Sequence, residues 1–324
     1  MAIVKAPIIA SVVDANLYGL LSGPQALGPT FFENLNFFLP GMQLGDNTMR
    51  LDALGATWGP EGPGKPFEFF VLNKIKNSHG LNWKGGRIVG TFSPSATWSR
   101  MHDAYALVVE DSSELTVQFL RVHNTGDGIS FNRGADQPIV SKCHLSMCRD
   151  DAFQNDFHNA NVIIEDCLID GCFIFFSSRP YAAGLPDSSG VTPTRIENCL
   201  VRLVDMPTTF LANGQPGHGR FFKMDKSPSP IDPKIQLINN IFRVDTPHVC
   251  CGDFMMPPAS RIDVCTGNIM VWGGQGAWPY ATEAGWTVTT DTTVWDNARR
   301  AWFDARRLEG HPAYLYDPME FPVP

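Results

Sequence analysis

The sequence predicts an all-β fold, a right-handed parallel β-helix solenoid with a C-terminal capping helix. Three observations carry this: a 24-residue repeat in the middle of the chain, short β-branched runs broken by turn residues, and an aromatic-striped helical segment near the end. Written in blocks of 24, residues 105–128, 129–152 and 153–176 fall into columns. Asp103, Asp127 and Asp151 share one column, and Thr116, Val140 and Ile164 another. Phe119, Cys143 and Cys167 form a third, and Leu107, Phe131, Asn155 and Arg179 a fourth.

A coiled parallel sheet explains such columns. Each turn lays its strands on those of the previous turn, about 4.8 Å away, so like residues stack and fill an interior no single rung could bury. The L-x-x-L-x-L signature of leucine-rich solenoids is absent, and a β-sandwich does not produce matching columns. The pattern continues with insertions. Asp166, Asn198 and Asn239 align at spacings of 32 and 41, so 8 and then 17 extra residues leave the coil as loops within 181–194 and 211–233. The last recognisable strand, RIDVCTGNIMVW, ends near Trp272.

Coils expose unpaired strands at both ends and need covers. Asp291 can cap a helix through Ala305, with Val294, Trp295, Ala298 and Trp302 on one stripe, and Gly310 and Pro312 end it. The expected organisation is therefore residues 1–80 as an N-terminal cap and irregular region, 81–275 as the β-helix, and 276–324 as a C-terminal cap.

Composition bounds the function. At 324 residues, 44% apolar and 18% charged, the chain is an ordinary globular protein treated as one decorated domain. A net charge of −8 with no basic run argues against a nucleic-acid partner, because phosphate binding needs clustered Lys and Arg. No stretch approaches the roughly 18 apolar residues of a membrane span. The segment Met1–Leu21 is a poor secretory signal, because Asp14 and Asn16 interrupt its apolar run. The eight cysteines lack C-x-x-C pairs. Cys143 and Cys167, like Cys148 and Cys172, are 24 apart, so they read as buried thiols rather than a disulfide framework.

The densest polar constellation is NTGDG (124–128), RDDAFQND (149–156) and SSRP (177–180), on the same part of successive rungs. In this register Asp127 lies below Asp151, Ser130 below Gln154 and Ser178, and Asn132 below Asp156. Stacked carboxylates repel, and a surface without a task for them would avoid the arrangement. Paired carboxylates are what glycosidic-bond hydrolysis requires. Asp before Gly or Ala is also a common turn residue, which is the plainer reading of Asp103 and Asp127 taken alone. Asn155 reads equally as a substrate contact or as a buried amide satisfying a turn.

The second constellation, GQPGHGRFFKMDKS (214–227), lies in the longer insertion. Gly217 and Gly219 flank His218, as a closely approached backbone would require. Arg220, Lys223 and Lys226 form the one local cationic cluster, expected to fold over the aspartates.

These motifs resemble the pectate-lyase-like superfamily of right-handed parallel β-helices, over roughly Leu81–Trp272. The likeness extends to a group of bacterial β-helix proteins that share DDAFQND, SSRPY, GHGRFFKMD and VTTDTTVWDNARRAW. Polygalacturonases of that superfamily carry N-T-D, D-D, G-H-G and R-x-K in order. The order is echoed by Asn124-Thr125-Gly126-Asp127, Asp150-Asp151, Gly217-His218-Gly219 and Arg220-x-x-Lys223, with a glycine intruding in the first motif.

The expected function is cleavage of a polymeric, uronate-containing glycan by acid/base hydrolysis, with no cofactor. Asp151 and Asp156 would act as acid and base, with Asp127, Asp150 and His218 in the same catalytic set. Arg149, Asn155, Arg179, Arg220 and Lys223 would bind substrate. The first alternative is a calcium-dependent lyase, with Asp127 and Asp151 holding the ion and Arg179 or Lys223 as base. The second is a glycan-binding β-helix without catalysis. The expected partner is a polysaccharide or oligosaccharide, a substrate class that favours a secreted or periplasmic location.

Overall fold

The computed structural model describes residues 71–90, 92–179, 192–210, 215–224, 233–247, 255–282 and 284–309. It also describes the strands Ala2–Lys5, Gln25–Leu27, Thr30–Glu33, Met49–Asp52 and Ala56–Trp58. Every strand pair among them is parallel, and the strands form a sheet of 16 and a sheet of 8.

Each rung begins with a short strand of the smaller sheet, such as Thr116–Gln118, Ile139–Ser141 or Ile163–Glu165. Phe119, Lys142, Asp166, Asn198 and Asn239 follow on successive rungs, all with φ between 46° and 60°, and turn the chain onto the larger sheet. A second left-handed position (Asn124, Met147, Gly171) bends that sheet, and a third (Glu114, Gln137, Asn161) closes the rung. Asn, Asp and Gly tolerate this conformation, and the stacked ladder holds Phe119, Lys142 and Met147 in it.

Three columns follow the expected spacing. Cys148 pairs with Cys172, Val140 with Ile164, and Ile129 with Phe153, the last placing Asp151 over Asp127. Others slip. Val117 rather than Thr116 lies under Val140, and Leu120 rather than Phe119 precedes the Arg121–His144 pair and so lies under Cys143. Tyr105 rather than Asp103 lies under Asp127, and Ile129, not Phe131, pairs with Leu107. The cause is rung length: pairs run 22 apart from Tyr105 to Asp127 and 24 apart from Ile129 to Phe153. Ser177, not Ser178, pairs with Gln154, and Asn155 donates its N–H to the Ser177 carbonyl, one step out of line with Arg179.

Within the largely apolar interior runs a polar file. Cys143, Cys167 and Cys199 stack as fully buried thiols, and Asn240 and Asn268 continue their column. The Asn268 side-chain oxygen accepts from the Asn240 N–H at 3.0 Å, and the Asn240 oxygen accepts from the Cys199 N–H at 2.9 Å. Each amide also donates to a neighbouring carbonyl, so these buried groups are satisfied. Cys250 and Cys251 lie outside the described residues.

Residues 1–80 carry coil strands: Ala2–Lys5 pairs with Thr30–Glu33, which pairs with Asn73–Lys76. At the other end Trp286–Thr289 adds beyond Asn268–Trp272. The C-terminal helix is Thr293–Leu308. It lies along the outside of the coil, burying Trp295, Trp302 and Phe303 against Phe119, Leu168, Leu200 and Val271. Its 16 residues span about 24 Å, the height of five rung steps at about 4.8 Å. Asp296 pairs with Arg243, Arg299 with Asp170, and Arg306 with Asp166. No described helix is long and apolar enough to cross a membrane.

Candidate active site

The larger sheet bends where 124–128, 148–156 and 172–178 lie on successive rungs, and the bend gathers the acids. Strand alternation would send Asp150 and Asp151 to opposite faces. The register between this rung and the next shifts by one between Cys148 and Asp151, a bulge that re-aims the side chains. As a result Asp127, Asp150 and Asp151 are all buried and offer carboxylate oxygens within 4.8 Å of one another.

The bonds among them are specific. The Asp151 N–H donates to Asp127 Oδ1 at 2.9 Å. Lys223 Nζ donates to Asp151 Oδ2 at 2.8 Å, with the lysine side chain 19% exposed and the aspartate fully buried. Asp127 Oδ2 and Asp151 Oδ1 are buried without a partner among the described residues. Asp156 edges the cluster, its Oδ1 accepting from Ser177 Oγ at 2.6 Å and the Arg179 N–H at 2.8 Å.

Four carboxylates face one ammonium, and burial adds to their repulsion. Burial first, then Asp151 and Asp150, push Asp127 well above the usual carboxylate range, against the pull of Lys223. Asp150 is pushed up to about 7 by burial and then Asp151, with Lys223 opposing. Asp156 is pushed up to about 6, again mainly by burial, with Lys223 and the Ser177 and Arg179 bonds restraining it. Burial disfavours the Lys223 ammonium, but Asp151, Asp150, Asp156 and Asp127 outweigh it and hold the lysine protonated well above its usual range.

Lys223 reaches the acids by another route than expected. It lies not on a loop but on a coil strand, Phe222–Met224, directly over Ser177. The insertion instead leaves after Leu200–Leu203 and closes through paired backbone bonds between Met206 and Gly217. Gly219 then docks on the coil, where a Cβ would lie 2.8 Å from Ile174 and 3.0 Å from the Phe173 carbonyl. His218 is not brought to the acids. Its Nδ1 faces the Gly219 carbonyl at 2.8 Å and its Nε2 the Thr246 carbonyl at 2.7 Å, so it fastens the returning segment to the next rung.

The other expected contacts divide similarly. Asn155 spends its amide on the turn, donating to the Asn159 carbonyl and accepting from the Asn159 N–H, both at 3.0 Å. Arg149 turns to the carbonyls of Ser93 and Pro94 and to the Thr208 hydroxyl. Arg179 meets Asp156 through its backbone, its side chain being exposed, and Arg220 is half-buried three residues before Lys223. Tyr105, half-buried beneath Asp127, was missed through the slipped register. Burial and the neighbouring Asp127 raise its phenol above the usual range. The signal for it was the unbroken strand run YALVVE.

No family model matches the sequence, and no curated protein matches it. Two solved structures resemble the fold. Dex49A from Penicillium minioluteum aligns at 11% identity and a TM-score of 0.37, over 80% of this chain and 54% of its own. The catalytic domain of a GH87 alpha-1,3-glucanase in complex with nigerose aligns at 11% and 0.35, over 81% and 56%. The chain thus spans about half the length of each, and at these values nothing about the site follows from either.

Proposed function

We propose that this protein is a glycoside hydrolase acting on a polymeric glycan, with Asp150 as general acid and Asp156 as general base or nucleophile. One observation carries the reading: buried carboxylates gathered at one bend of the coil, with Asp150 and Asp156 both held above the usual carboxylate range by burial. Asp150 keeps its proton to about pH 7 and can give it to the leaving glycosidic oxygen. Asp156 gives its proton up near 6, and two donors on Oδ1 fix the orientation of its carboxylate. These two are also the cluster's least buried acids, at 6% and 8% exposure. Asp151 and Asp127 lie behind them, Asp151 holding Lys223 and Asp127 anchoring the Asp151 backbone. The exposed Arg179 beside Asp156 supports a uronate-containing glycan.

The lyase alternative is weaker on two counts. A lysine held protonated is a poor base for abstracting the proton α to a carboxylate. Asp127, Asp150 and Asp151 are oxygen ligands of the type calcium takes. However, Lys223 already donates to one of their oxygens and would repel an ion there, so the set does not fit calcium. The test is incubation of purified protein with a glycan panel, with and without chelator. The hydrolase reading expects new reducing ends, no ultraviolet-absorbing unsaturated product, and no effect of chelator. An unsaturated product lost in chelator would overturn it in favour of the lyase.

A further inference from the structure

Beside the acids stands a wall that the chemistry above does not use. The short helix Trp98–Met101 butts against the bend of the coil: a Cβ on Gly126 would lie 1.8 Å from the Met101 carbonyl oxygen. The Asp127 N–H donates to the Ala104 carbonyl at 2.9 Å, tying this segment to the cluster. Trp98 stacks on His102 with ring centroids 4.1 Å apart and planes at 15°. Phe210, from the insertion closed by Met206 and Gly217, meets Trp98 edge-on at 5.8 Å. At 39% exposure it is one of three large hydrophobic side chains exposed among the described residues.

Both segments are clamped by Arg149, the immediate neighbour of Asp150. Its guanidinium donates to the carbonyls of Ser93 and Pro94 on one segment and to the Thr208 hydroxyl on the other. Thr208 in turn donates to the Ala96 carbonyl at 2.6 Å. A single exposed ring needs no explanation. Here the half-buried Trp98 and the exposed Phe210, from separate segments, are held together by a buried arginine on the acid-bearing strand. Aromatic faces in that setting suit the apolar C–H faces of pyranose rings, whose hydroxyls point outward to water.

We infer that Trp98 and Phe210 form a stacking subsite that holds pyranose rings of the glycan alongside the acid cluster. The inference rests on the hydrolase reading and assigns Arg149 to positioning the subsite rather than to touching substrate.

Affinity electrophoresis of the full chain in gels containing polygalacturonate, alginate, dextran or xylan tests it. Wild type and Asp150→Asn should be retarded by the same polymer. Trp98→Ala and Phe210→Ala should each bind it roughly tenfold more weakly, with Trp98→Phe close to wild type. Phe210→Ala removes an exposed ring and guards against a Trp98 variant that fails to fold. On a polymer that is cleaved, the alanine variants should raise KM about tenfold and leave kcat within about twofold. Folded alanine variants with wild-type retardation and KM would overturn the subsite alone. A wild type that is retarded by none of the polymers and releases no reducing ends would overturn the subsite and the hydrolase reading together.

Discussion

The backbone N–H of Asp151 donates to the carboxylate of Asp127, one rung below it, at 2.9 Å. Asp127 thus has one oxygen fixed by the coil and one buried without a partner among the described residues. An amide at position 127 keeps the first contact and removes the charge. Asp127→Asn is expected to match or exceed wild-type stability, whereas Asp127→Ala strands the Asp151 N–H and should cost about 1–3 kcal/mol. Denaturant melts of the two variants at neutral pH check this. Equal losses would mean that the oxygen contact contributes nothing.

Among the described residues Lys223 supplies the one ammonium beside four acids. Lys223→Met should destabilise by about 3–5 kcal/mol near pH 8, where it leaves buried carboxylates uncompensated. The loss should shrink near pH 5, because the acids there neutralise themselves by taking up protons. A pH-independent loss in thermal melts would make the lysine's role one of packing.

Asp150 predicts a pH dependence whose sign is fixed. Its folded proton affinity, near 7, lies above the usual value of 3.8, so its stabilising contribution is full below about pH 4 and is lost as pH rises through 7. Asp150→Asn abolishes that loss. The melting temperature of the variant minus that of wild type should therefore grow between pH 4 and 7 and level off above. In activity, the acid limb of kcat/KM should fall near 6 with Asp156 and the basic limb near 7 with Asp150.

His218→Ala should act on the scaffold. A backbone carbonyl loses its ring N–H donor, so a stability loss of about 1–3 kcal/mol is expected, with turnover reduced but present. Unchanged melting with turnover abolished would return His218 to the chemistry.

The fold was legible because rungs between Tyr105 and Phe176 carry no insertions. There Cys148 and Cys172, or Asp127 and Asp151, repeat at a spacing the eye can find. Tyr105 was lost to a rung two residues shorter, a length set by turn geometry that composition does not encode. Lys223 was found as a charge but misplaced as a loop residue. Phe222–Met224 is only three residues long, and flanking Gly and Lys mask its strand character. The bulge that turns Asp150 and Asp151 to one side left no mark in sequence beyond the doubled acid itself. Asn155, which the residues left open between two roles, serves the turn.

Helix Thr293–Leu308 has a mechanical consequence. In a solenoid, neighbouring rungs hold one another and the last can peel away alone. Here the helix runs back from the final rungs and is bolted to Asp170, Asp166 and, through Glu309, Lys142. A pull on the C-terminus therefore reaches the middle of the coil first and loads several rungs together in shear, where unzipping would have taken them one at a time.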